Sequence, residues 1–146
     1  MQTRCALVGM PGCGKSTVGR HLARRLGLPF VDLDQRLEQQ LGCSIRSYFE
    51  EHGEPAFREH EAALLAALAA ESGAMVLSTG GGAVLRAENR AALRGGFSHV
   101  MYLRASADDI FKRLRHDRTR PLLQVADPLE RLRELYRTRD PLYREA

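Results

Sequence analysis

The stretch Gly9-Met10-Pro11-Gly12-Cys13-Gly14-Lys15-Ser16 decides the reading of this chain. An apolar run, Cys5-Ala6-Leu7-Val8, precedes it, and a helical pattern from Thr17 to Leu26 follows. A strand, a tight glycine loop and a helix in that order form a phosphate-binding P-loop. A Cβ in the loop would block positive φ and keep the backbone from approaching phosphate oxygens. With glycines, successive N–H groups point inward, and the helix N-terminus adds its partial positive charge. Lys15 reaches the β- and γ-phosphates, and Ser16 offers its hydroxyl to Mg²⁺. A glycine turn without a ligand is the alternative, and it leaves the strand and helix on either side as coincidence.

Strand and helix patterns alternate outward from this loop. Strands are predicted over residues 4–8, 30–34, 74–78 and 99–103. The P-loop helix spans 15–26 and stops at Gly27, with Pro29 two positions on. A helix over 36–41 ends at Gly42, and Ser44 caps another through Ile45, Tyr48 and Phe49. Pro55 begins a long helix to about Ala70, with Phe57, Leu64, Leu65 and Leu68 on its buried face. Glu88 to Leu93 is a short helix, Ser106 caps a helix over 107–114, and Pro128 starts the last, through Tyr136. Residues 115–127 have no apolar period and are rich in Arg, Asp and Pro, as a mobile loop would be. Alternation of this kind predicts an α/β fold, a parallel sheet covered on both faces. Ligands then sit beyond the carboxyl ends of the strands, which gathers Gly9–Ser16, Asp32, Asp34 and Gly80–Gly82 onto one rim.

Composition narrows the function. At 146 residues the chain is one domain with a proper core, and 44% of it is hydrophobic. No apolar run approaches a membrane span, and no signal peptide precedes the first strand. The net charge is +4, and Lys15 and Lys112 are the only lysines among 22 basic residues. There is no Trp, and the five Phe and four Tyr do not interleave with the arginine clusters. Nucleic-acid binding is therefore disfavoured, and capture of small anions by a few guanidiniums is preferred. A general arginine-rich bias accounts for most surface Arg. Cys5, Cys13 and Cys43 fit neither a disulfide framework nor a zinc pattern, which points to a reducing cytoplasm. The five histidines show no ligand spacing, so the metal expected is Mg²⁺ carried by the substrate.

Three further features bear on chemistry. Asp32 and Asp34, two apart at a strand end, are expected on one side of it. One can hold metal waters and the other orient a substrate hydroxyl; helix-capping aspartates are the alternative. Gly80-Gly81-Gly82 lets backbone touch a ligand, unless it is a flexible turn. Arg58 precedes Glu61 by three residues, so Glu61 can buttress its guanidinium, unless Arg58 is simply a surface side chain.

These segments together resemble shikimate kinase, a P-loop small-molecule kinase family. The resemblance runs from about Arg4 to Ala146. It rests on GMPGCGKSTVGR, DLDQRLE, GCSI…YFEEHGEPAFREHE, STGGG, NR…L, RTRPLL and LYRTRDPLY. It implies a three-layer α/β/α P-loop fold like that of nucleoside monophosphate kinases. A single domain, 1–146, would carry a substrate-binding helical segment at about 34–61 and a lid at about 115–127. It implies ATP-dependent phosphorylation of the 3-hydroxyl of shikimate, a step of chorismate and aromatic amino-acid biosynthesis. Gly12, Cys13, Gly14, Lys15, Ser16 and Thr17 would bind ATP, with Arg113 stacked on adenine. Ser16 and, through water, Asp32 would hold Mg²⁺. Asp34 would hold the acceptor hydroxyls. Arg58 and Arg139, the latter at the end of the last helix, would bind the carboxylate. Gly80, Gly81, Gly82, Phe49 and Phe57 would line the substrate. Arg120, in the lid, would reach both the phosphoryl group and the substrate, acting in catalysis with Lys15 and Asp34. The expected partners are ATP and shikimate alone, with no nucleic acid or membrane, in a cytoplasmic monomer. Family members continue for roughly one more strand and helix, so the fourth strand is expected as an edge and the adenine pocket as incomplete. The rivals are a gluconate or nucleoside-monophosphate kinase, whose acceptors lack the carboxylate, and a nucleotide-binding regulatory module without catalysis.

Overall fold

The computed structural model of the chain describes residues 3–114 and 127–146, the side chains of Arg113, Leu114 and Pro128 excepted. Four strands, β1 (Arg4–Val8), β2 (Phe30–Asp32), β3 (Met75–Ser78) and β4 (His99–Tyr102), form one parallel sheet in the order β2-β3-β1-β4. Registers such as Ala6 opposite Leu77 and Val100 align the carboxyl ends of the strands on one rim. Seven helices surround the sheet: α1 (Lys15–Leu26), α2 (Leu33–Leu41), α3 (Ile45–His52), α4 (Glu54–Ala70), α5 (Ala87–Gly96), α6 (Ala107–Leu114) and α7 (Pro128–Glu145).

Strand alternation divides the core in two. Cys5, Leu7 and Val76 face α1, packing with Ala23 and, at the margin, Leu22 and Phe30. Ala6, Val8 and Leu77 face the other way, onto a larger core shared by α2, α4, α5, α6 and α7 through Leu37, Leu65, Leu93, Ile110 and Leu132. The result is three layers, with β1 buried along its whole length. Among the described residues the strand β4 pairs only with β1 and is the more exposed edge.

Local chemistry sets the boundaries. Gly27 and Gly42 close α1 and α2 in the left-handed conformation. Ser44 caps α3 by accepting from the Ser47 amide, and Ser106 accepts from the Asp109 amide at 3.1 Å. Two boundaries depart from expectation. The second strand stops at Asp32, because its carboxylate accepts from the Gln35 amide and starts α2 at Leu33. The last helix does not stop near Tyr136 but runs through Pro141 to Glu145. Proline removes one amide from the helical ladder, yet the buried Tyr143 and Leu132 hold that helix to the core.

Candidate active site

The P-loop connects β1 to α1. Gly14 takes φ 95° just before α1, a conformation that strains any residue with a Cβ. The Cys13 amide donates to Met10 O at 3.2 Å and tightens the turn. Lys15 is buried; its Nζ donates to Gly9 O at 2.8 Å and Met10 O at 2.9 Å and approaches Cys13 Sγ at 3.7 Å. A cavity of about 510 Å³ opens above, lined by Gly12, Gly14, Lys15, Ser16 and Thr17, with Asp32 and Asp34 opposite. The Cys13 side chain is buried behind the loop.

The two aspartates reach this cavity by a different route from the expected one. Asp34 lies in the first turn of α2 and not on a strand, so strand alternation does not bring the pair together. Capping does. Asp32 accepts from the Gln35 amide at 3.2 Å through Oδ1, and from Ser16 Oγ at 2.9 Å through Oδ2. The capping role and the site role thus belong to two oxygens of one carboxylate. Asp34, one helical step further on, gains from the helix dipole and faces inward.

A second cavity, about 770 Å³, adjoins the first. Pro11, Asp34, Glu38, Gly80 and Gly81 line both and so form the wall between them. The far side is built by Phe49, Phe57, Arg58 and Glu61 of α3 and α4, and by Arg131, Leu135 and Arg139 of α7. Arg58 is held from two sides, by Glu54 Oε2 at 3.0 Å and Glu61 Oε1 at 2.9 Å. Its guanidinium lies 5.4 Å from the Phe57 ring centroid and 5.9 Å from that of Phe49. A Cβ on Gly82 would collide with that guanidinium. Arg139 is buried in the body of α7, well before the helix end, and its charge acts on the Tyr143 hydroxyl beside it.

Burial and like charges shape the acidity here. Burial, reinforced by the carboxylates of Glu61 and Asp32 and opposed by Lys15 and Arg58, pushes the Asp34 carboxyl up to about 6. Glu61 is only 1% exposed, and burial raises it too, against the pull of Arg58 and Arg139. Its Oε2 is buried without a hydrogen-bond partner among the described residues. The pair of cavities can therefore hold a polyanion over the P-loop and a small acid between the arginines, with one weakly acidic carboxyl where they meet.

The structure brings together Lys15, Ser16, Asp32, Asp34, Phe49, Phe57, Arg58, Gly80, Gly81, Gly82 and Arg139. Arg120 and the segment expected as a lid lie outside the described residues, apart from Asp127, which caps α7. Arg113 lies on α6, and its side chain is outside the description. Sequence reasoning missed Arg131, Leu135 and Tyr143. The signal was present: with Arg139 they recur every four residues, on one face of a helix. Placing Arg139 at the helix end cut the series short of Tyr143.

The family model for shikimate kinase matches residues 11–146 of this chain. The chain is 59% identical to the shikimate kinase of Paracidovorax citrulli over 96% of its own length and 76% of the relative's. It is 55% identical to that of Cupriavidus pinatubonensis, over 94% and 71%. A solved shikimate kinase from Acinetobacter baumannii, in complex with shikimate, superposes with a TM-score of 0.94 at 44% identity, over 99% of this chain and 80% of that one. The chain belongs to the shikimate kinase family.

Proposed function

We propose that the chain transfers the γ-phosphoryl group of ATP to the 3-hydroxyl of shikimate, giving shikimate 3-phosphate and ADP, on the route to chorismate and the aromatic amino acids. The observation that carries this is the shared wall. One cavity has the residues of a polyphosphate site, the other has the buried Arg139 and the half-buried Arg58, and Asp34 opens onto both.

Shikimate is a compact ring bearing one carboxylate and three hydroxyls. Arg58 and Arg139 answer the carboxylate, since guanidinium forks pair with planar anions. Phe49 and Phe57 face the ring carbons, and Gly80–Gly82 allow close backbone approach. A ring anchored at its carboxylate turns its far hydroxyls toward Asp34. The ionised Asp34 then accepts from the 3-hydroxyl and holds it in line with the phosphoryl group. Phosphoryl transfer needs placement and charge neutralisation above all, and Lys15 with the loop amides supplies both on the donor side. Cys13, its amide turned to Met10 O, supports the ATP-binding loop from behind. Arg120 and Arg113 take the lid and adenine roles that the family resemblance assigns them.

The donor set Ser16 Oγ and Asp32 Oδ2, 2.9 Å apart, is of hard oxygens, which suits Mg²⁺. Ser16 would ligate the ion directly and Asp32 through water. Bound there, Mg²⁺ neutralises phosphate charge. The enzyme works as a cytoplasmic monomer on these two substrates, without nucleic acid or membrane. No described helix is long and apolar enough to cross a membrane.

A coupled assay of ADP release tests the reading, with ATP, Mg²⁺ and one acceptor at a time. Turnover is expected with shikimate and not with gluconate or a nucleoside monophosphate. Turnover with either of those at a comparable kcat/KM would overturn the acceptor assignment.

A further inference from the structure

The four-residue series on α7 does not end with Arg139. One turn on, the Tyr143 side chain is 1% exposed and lies behind the acceptor cavity. Its hydroxyl donates to Gly81 O at 2.5 Å, across 62 residues of sequence. The Arg139 guanidinium lies beside that hydroxyl, where its charge opposes the effect of burial on the phenol. A phenol can donate and accept at once, and no other residue type does so from a rigid ring of this length. The ring is fixed against Tyr102, with centroids 5.0 Å apart. Tyr102 is anchored in turn, donating to Asp140 Oδ1 at 2.6 Å.

Gly81 is no ordinary loop residue. It lines both cavities, and a Cβ on it would lie 2.5 Å from the Pro11 ring of the P-loop. A continuous series of contacts therefore runs Arg139–Tyr143–Gly81–Pro11, from the acceptor's arginine to the donor's loop. We infer that Tyr143 is a positioning residue for the acceptor: its hydroxyl sets the spacing and angle between the Arg139 guanidinium and the triple-glycine wall, and so fixes the carboxylate subsite. Burial pushes the Tyr143 hydroxyl up to about 12, so it is a neutral donor at working pH.

Removing that oxygen has a specific consequence. The Gly81 carbonyl loses its donor, and Arg139 loses the polar neighbour that fixes its place against the glycine wall. The ring, and with it the packing of α7, remains in Tyr143→Phe. The effect is expected to fall mainly on shikimate, because the hydroxyl bonds the Gly81 carbonyl of the acceptor wall and lies beside Arg139. This inference rests on the reading of Arg139 as a carboxylate ligand, and the test keeps the two apart.

Steady-state kinetics are measured for wild type, Tyr143→Phe, Arg139→Ala and the double variant, with each substrate varied in turn and melting temperatures recorded. Tyr143→Phe is expected to raise the shikimate KM about tenfold, as when a buried carbonyl loses its donor. The ATP KM stays within twofold. The double variant is expected to bind shikimate no worse than Arg139→Ala alone, since a group acting through Arg139 has nothing left to aim. If Arg139→Ala raises the shikimate KM and Tyr143→Phe does not, the inference fails and the reading of Arg139 stands. If the two changes add fully, Tyr143 does not act through Arg139. Equal rises in both KM values with a lowered melting temperature would make Tyr143 a packing residue only. No effect of Arg139→Ala would overturn the carboxylate reading itself.

Discussion

Asp34 Oδ1 lies 2.5 Å from the place that a Cβ on Gly80 would occupy. The carboxyl at the junction of the two cavities is thus seated on bare backbone, and no larger residue fits beneath it. In Gly80→Ala the Asp34 carboxylate or the backbone beneath it must shift. Turnover with shikimate is expected to fall at least about 100-fold, the low end for a misplaced acid–base group. ATP binding, measured by calorimetry, is expected to change less than threefold. A Gly80→Ala enzyme of normal kcat would show that Asp34 has room to move and does not orient the hydroxyl.

Lys15 carries its charge over carbonyls of the loop and not into the apolar core. Lys15→Ala is therefore expected to retain the native circular dichroism spectrum while kcat falls by about 10²–10³ or more, as for loss of one preorganised electrostatic contact. Ordinary turnover in a folded Lys15→Ala enzyme would contradict the P-loop assignment.

The raised pKa of Asp34 has consequences for rate and for stability. Below about 6 the carboxyl is protonated and no longer accepts from the substrate hydroxyl. The kcat/KM for shikimate should therefore fall about tenfold per pH unit on the acid side, and Asp34→Asn should lack this limb. Stability runs in the opposite direction. Between the ordinary value of 3.8 and about 6, the unfolded chain has released this proton and the folded one has kept it. Asp34 therefore makes the fold less stable as pH rises through that window, by up to about 2–3 kcal/mol. Urea unfolding at pH 7.5 is expected to show Asp34→Asn more stable than wild type, with the gain shrinking toward pH 4. A less stable Asp34→Asn at pH 7.5 would show that the carboxylate is well solvated or well paired.

Glu61 ties the two halves of the acceptor site together. It holds Arg58 and raises Asp34 by charge repulsion, second only to burial. Glu61→Gln should move the acid limb of the pH profile to lower pH and raise the shikimate KM, because Arg58 loses its buried counter-ion. An unmoved acid limb would mean that Glu61 does not act on Asp34.

Most of this was legible in the sequence where local chemistry decides structure. The glycine loop, the Ser44 and Ser106 caps, the αL glycines and the apolar face of α4 lie within a few residues of what they control. Asp32 was legible in both roles but not in their combination, since capping and Ser16 contact use different oxygens of one carboxylate. The course of α7 was not legible, because Pro141 reads locally as a stop and only tertiary packing of Tyr143 overrides it. Arg4 was not legible either. An arginine at a strand start reads as surface charge, yet Arg4 is buried against the Phe97 ring. It donates to the Leu68, Gly73 and Gly96 carbonyls, sewing the ends of α4 and α5 to β1. Partners 64 to 92 residues away leave no trace in a window of sequence.

The central claim is that this site reads a carboxylate with Arg58 and Arg139 and presents a hydroxyl to Asp34. The most direct measurement compares kcat/KM for shikimate and for its carboxamide, in wild type and in Arg58→Ala. The wild type is expected to prefer shikimate strongly. Arg58→Ala is expected to lose about ten- to a hundredfold with shikimate, one charged hydrogen-bonding group's worth. It should lose little with the carboxamide, and the ATP KM should stay within a few-fold. Equal losses for shikimate and its carboxamide would show that Arg58 does not recognise the carboxylate and would contradict the account.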